Sequence, residues 1–188
     1  MTAVFDKTSV LTGTDDGDSY SPTNLRIVVP ASDLIAGIIG TACQLELRFG
    51  SLCPSTTGAI SSMWFGQSGA SPPNFTGDQV QVKFAGGASI NGSGGAVIVS
   101  DIFTLAQPFD ATKSYTCAFF IPGSPNFTSL SEGSVAGVTI YADTTTGSDT
   151  SSQTAPANQA VLLTNTDLFL EKISIPIVVP VLMGQAAF

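Results

Sequence analysis

Gln44-Leu45-Glu46-Leu47-Arg48-Phe49 is the stretch that decides the fold class. Extended backbone sends Leu45, Leu47 and Phe49 to one side and Gln44, Glu46 and Arg48 to the other. A helix would scatter the same residues around its circumference. Gln79-Val80-Gln81-Val82-Lys83-Phe84 repeats the alternation. Both segments predict strands with one buried and one wet face.

Working outward, Leu25 to Val29, Val97 to Leu105, Tyr115 to Ile121, Val138 to Tyr141 and Phe169 to Ile175 are rich in β-branched and aromatic residues. They predict further strands, and Val4 to Leu11 predicts an edge strand. With 19 Gly and 11 Pro in 188 residues, the intervals between breakers are too short for ordinary helices. About eight to ten strands joined by Gly/Pro loops predict an all-β chain, an antiparallel β-sandwich of jelly-roll type. The expected division is an N-terminal arm over 1–23, the sandwich over 24–175 and an apolar tail over 176–188. Ser68 to Asp78, with Pro72-Pro73, reads as a loop across the end of the sandwich. Asp143 to Asn158, rich in Thr, Ser and Gly, reads as a mobile surface loop.

Charge narrows the possible partners. Six Lys+Arg against fourteen Asp+Glu give a net charge of −8, and the basic residues form no stripe. Phosphate neutralisation dominates nucleic-acid binding, so neither nucleic acid nor an anionic membrane is an expected partner. Charged residues are only 11% of the chain, against roughly 25% in an ordinary soluble domain. So few charges give weak protection against association, and a homo-oligomer or lattice component is expected. Met1 to Asp6 has neither the basic start nor the apolar run of a secretory signal. Cys43, Cys53 and Cys117 form no CxxC pair and suit buried thiols in a reducing cytosol. A Cys43–Cys53 disulfide is the alternative, and spacing alone does not decide it.

Catalytic groups are scarce. Gly17-Asp18-Ser19 resembles the nucleophile block of SGNH esterases, but the chain has no histidine to serve as base. HExxH, P-loop and Gly-x-Ser-x-Gly motifs are all missing from the sequence. Glu46 and Glu171 are expected on wet strand faces and Glu132 in a loop, so no carboxylate pair suggests glycoside hydrolysis. Asp15, Asp16 and Asp18 could offer oxygens to calcium, although the EF-hand spacing is absent. Hydrated turn carboxylates are the other reading. No cofactor is expected, and the chain is expected not to be an enzyme.

Two features could carry recognition. Trp64 is the only tryptophan and neighbours Phe65, so on a strand one of the two faces the core and the other faces outward. Trp64, Tyr141 and the Thr/Ser loop are the candidates for stacking against a sugar. The second feature is the tail, Ile177-Val178-Val179-Pro180-Val181-Leu182-Met183, ending in Ala186-Ala187-Phe188. Pro176 and Pro180 bar it from continuing as a central strand, and apolar side chains left in water are a liability. Either the tail covers its own sandwich, or Ile177, Val178, Val179, Val181, Leu182, Met183 and Phe188 form a subunit interface.

A set of segments in serial order resembles a β-sandwich module borne by tailed phages and prophages, found in tail-associated and hypothetical virion proteins. They are Asn24-Leu25-Arg26-Ile27-Val28-Val29-Pro30-Ala31-Ser32, Phe65-Gly66-Gln67, Phe75-Thr76-Gly77-Asp78-Gln79-Val80-Gln81-Val82, Val99-Ser100-Asp101, Asp110-Ala111-Thr112-Lys113-Ser114 and Glu171-Lys172-Ile173-Ser174-Ile175. The resemblance implies a virion component assembled in the bacterial cytoplasm, with a carbohydrate-binding-like sandwich and no transferred catalytic residue. A capsid-surface decoration or cement protein, partnered by other virion proteins, is the first expectation. A tail-fibre or baseplate adhesin module binding host glycan is the second.

Overall fold

A computed structural model describes residues 1–13, 22–122, 130–143, 145 and 147–176. Among the described residues the chain is all-β, with a single 3-10 turn at Ala31–Asp33. Thirteen strands are found among the described residues: β1 (Thr2–Asp6), β2 (Thr23–Val29), β3 (Ala42–Arg48), β4 (Thr56–Ile60), β5 (Ser62–Gln67), β6 (Val80–Gln81), β7 (Ile90–Gly92), β8 (Val97–Val99), β9 (Phe103–Thr104), β10 (Tyr115–Ile121), β11 (Glu132–Asp143), β12 (Ala160–Leu168) and β13 (Leu170–Ile175). This exceeds the expected number because several strands are only two or three residues long.

The strands form a sandwich. One sheet runs β1-β13-β3-β8, with β9 also pairing to β3; the other runs β12-β11-β2-β10-β5-β6; β4 and β7 form a separate pair. All named pairings are antiparallel. The alternation in β3 buries Cys43, Leu45 and Leu47 while Gln44, Glu46 and Arg48 stay partly exposed. Facing them across the core are Leu25, Ile27 and Val29 of β2, Phe65 of β5, and Cys117, Phe119 and Ile121 of β10. Phe65 stacks on Tyr115 with ring centres 5.4 Å apart, and Tyr115 stacks on Phe109 at 5.0 Å. Each such pair adds about 0.5–1.5 kcal/mol beyond area burial.

Several expected boundaries shift for local reasons. Val97 to Leu105 is two strands, because Asp101 turns aside and its carboxylate accepts the Ala85 and Gly86 amides at 3.0 and 2.7 Å. The Gln79–Phe84 alternation yields only the two-residue β6, ended by a tight Phe84–Gly87 turn in which Ala85 has φ 49°. The N-terminal edge strand stops at Asp6, and the Val10 and Leu11 amides both donate to the Lys7 carbonyl in a turn. Phe169 was expected to open a strand. It is the joint where the chain leaves the six-stranded sheet at Leu168 and enters the other at Leu170, with φ 73°. No disulfide joins Cys43, Cys53 and Cys117, which are all buried. Burial pushes the Cys43 thiol upward in pKa, out of the reactive range.

Candidate functional site

The outer face of the six-stranded sheet holds both aromatic candidates. Cross-strand register sets Tyr141 opposite Arg26, Arg26 opposite Ala118, Ala118 opposite Trp64 and Trp64 opposite Gln81. Residues paired in register share a face, so these five form one row across the sheet. The next row, Ile140-Ile27-Cys117-Phe65, faces the core. Phe65 is therefore the core aromatic, and Trp64 lies half-buried on the outside. Tyr141 is half-buried as well. Three strand spacings put the Trp64 and Tyr141 backbones about 14 Å apart. They flank the middle of the face and share no common platform.

That middle is covered. Arg26 is fully buried. Its Nη1 donates to the Pro73 carbonyl at 3.1 Å, and its Nη2 donates to the carbonyls of Thr150 (3.2 Å), Ser151 (3.4 Å) and Gln153. The guanidinium also lies 4.7 Å from the centre of the Phe75 ring. No carboxylate pairs with it among the described residues; oriented carbonyl dipoles and the ring quadrupole replace its water. Burial lowers the Arg26 pKa to about 10, which leaves it cationic at neutral pH.

Neighbouring polar groups complete the cover. Asn24 donates to the Ser148 carbonyl and accepts the Thr150 amide, both at 2.8 Å. The Ser62 hydroxyl meets Asp149 and lies 2.8 Å from the Ser151 hydroxyl. Gln79 Nε2 reaches the Ser152 carbonyl at 2.9 Å, and the Phe75 amide donates to the Thr154 carbonyl at 2.8 Å. The segment expected to be a mobile surface loop is thus anchored over its described part, with Asp143, Thr150 and Ser151 buried. The Ser68–Asp78 loop lies with it across the sheet.

The acidic candidates are dispersed. Glu46 is partly exposed, as expected, and accepts Lys172 at 3.1 Å. Glu171 is not on a wet face: it is buried and held by Arg48 through two hydrogen bonds, at 3.1 and 2.9 Å. Glu132 opens β11 instead of lying in a loop. No group of three metal-ligating side chains occurs among the described residues. Asp15, Asp16, Asp18 and Ser19 lie outside the described residues, as do the interface candidates Ile177, Val178, Val179, Val181, Leu182, Met183 and Phe188. Among the described residues, no helix is long and apolar enough to cross a membrane.

The importance of Arg26 was missed from sequence, where it was one of a few scattered basic residues. The available signal was a charge between Leu25 and Ile27 in a strongly apolar strand. No protein-family model matches this chain, and comparison with curated proteins finds no match.

Proposed function

We propose that this chain is a non-catalytic structural protein of a bacteriophage particle, a decoration or cement subunit on the capsid surface that docks through subunit interfaces. The observation that carries the reading is the apolar outer edge of the five-stranded sheet, which no strand pairs among the described residues. Val97 and Val99 on edge strand β8 are 40% and 48% exposed, and Ile102 beyond them is 61% exposed. Unpaired edges with exposed apolar side chains are places where another chain is added. The low charge of the chain and its phage-module resemblance support the same reading. Quantitative mass spectrometry of purified particles, with electron cryomicroscopy, tests it. On the order of hundreds of copies on the head is the expected result, as symmetric lattices demand. A few dozen copies at the tail would overturn it.

A second reading, a tail adhesin binding host glycan, draws on Trp64, which lies half-buried on the outer face of the six-stranded sheet. It requires the isolated protein to bind host cells or polysaccharide and Trp64→Ala to abolish that binding. Binding that survives the substitution removes Trp64 from the ligand surface.

A further inference from the structure

We propose that the groove between the 36–39 loop and the 108–112 turn receives the apolar segment Ile177–Met183 of the same chain. The groove has a volume of about 460 Å³ and is walled by Ala36, Ile38, Ile39, Pro108, Phe109 and Ala111. Ile39, on one wall, is 76% exposed. That is a large apolar surface to leave in water, at roughly 25 cal/mol per Å².

The described chain ends beside this groove. Gly40 directly follows one wall, and its carbonyl accepts the amide of Phe109, from the other wall, at 2.8 Å. A Cβ placed on Gly40 would lie 2.8 Å from the Ile175 side chain and 3.4 Å from the Pro176 carbonyl. β13 therefore delivers Pro176 to the point where the two walls meet. An extended chain covers up to about 3.6 Å per residue, so three residues beyond Pro176 span about 10 Å.

Chemistry matches on both sides. Ile177 to Phe188 contains no charged residue. Asp110 is the only ionisable side chain in the groove lining, and its carboxylate already accepts the Thr112 amide (2.9 Å) and hydroxyl (2.8 Å). Pro176 and Pro180 lack amide protons, which suits side-chain packing better than strand pairing. The occupant is the chain's own segment because a short tether supplies an effective concentration in the millimolar range, which a second copy would have to match. The docking is independent of any virion role and leaves the β8 edge open to neighbours.

Cross-linking in the intact 188-residue chain tests this. Ile39→Cys is combined in turn with Val178→Cys, Val179→Cys and Val181→Cys, then mildly oxidised at low concentration. Cys43, Cys53 and Cys117 are buried and stay unreacted. At least one pair is expected to give an intrachain disulfide, read as a compact monomer on a non-reducing gel and two thiols lost by intact mass. Disulfide-linked dimers would assign the groove to a second copy's tail, and no cross-link in any pair would leave it without this occupant; either overturns the proposal. As a second readout, Ile39→Glu puts a charge on the wall at an exposed position that the fold tolerates. Chymotryptic cleavage within 177–188 is expected to rise roughly tenfold, while the melting temperature falls by only about 3–5 °C, the shift that a tenfold loss of docking accounts for. Unchanged cleavage contradicts the docking.

Discussion

The Arg26 guanidinium stands 4.7 Å from the centre of the Phe75 ring, sealed between the sheet and two long loops. One cation thereby joins segments far apart in sequence: the β2 strand, Pro73 and Phe75 of one loop, and Thr150 to Gln153 of the other. The outer face of the six-stranded sheet is closed at its centre for this reason.

Arg26→Met is expected to leave the carbonyls of Pro73, Thr150, Ser151 and Gln153 buried without their donor. The cost is ~3–5 kcal/mol, the range for breaking a buried charged network by removing one partner. Urea denaturation checks the magnitude. Hydrogen exchange should show the 148–154 amides losing protection ahead of β10. Arg26→Lys should recover only part of the loss, since an ammonium lacks the planar fork that reaches both loops.

Phe169 buries its ring 4.9 Å from Phe49 and 5.4 Å from Phe119 while its backbone sits at φ 73°. Phe169→Ala is expected to cost ~3–5 kcal/mol through the cavity it leaves. Phe169→Gly leaves a similar cavity and relieves the left-handed backbone. It should therefore be about 1 kcal/mol more stable than the Ala variant, the reverse of the order expected within an ordinary strand. Thermal or urea unfolding of the two variants side by side decides it.

Glu171 is buried, while the side chain of Arg48 remains 23% exposed. Glu171→Ala should cost ~2–3 kcal/mol, less than a fully buried pair because Arg48 can turn to water. Arg48→Ala should cost at least as much, because it strands the buried carboxylate. A double-mutant cycle measures the coupling.

Stability should weaken at both ends of the pH scale through the Asp6–Lys172–Glu46 cluster. Burial opposes ionisation of Asp6, but bonds from Thr8 and the charges of Lys172 and Lys7 outweigh it and lower its pKa below 3.8. A carboxylate depressed on folding contributes stability above its unfolded pKa and loses it as pH falls through the folded value, so this contribution begins to fade near 3.8 and is gone only at still lower pH. Burial likewise opposes Lys172, but Glu46, Asp6 and Glu171 raise its pKa above 10.5. Its contribution is complete below the unfolded value and fades as pH rises past the folded one. Urea midpoints across pH 2–11 should fall at both ends, and Lys172→Met should flatten the alkaline limb.

The strands at Gln44–Phe49 and Tyr115–Ile121 were legible because period-two alternation or a continuous β-branched and aromatic run needs no tertiary information. The same pattern at Gln79–Phe84 overstated its strand, since pairing length depends on a partner and a tight turn intervenes. β12 went unread because Ala160-Val161-Leu162-Leu163-Thr164 alternates poorly and carries two register shifts against β11. Sequence by itself determined the fold class, the short helix-poor intervals and the opposite facing of Trp64 and Phe65. Only the tertiary structure decided that Trp64 and Tyr141 share a row, that Glu171 is buried, and that Arg26 closes the face between them. Side-chain direction along a strand is local, whereas register between strands and the solvation of a charge depend on residues far apart in the chain, such as Pro73 and Thr150, 47 and 124 positions from Arg26.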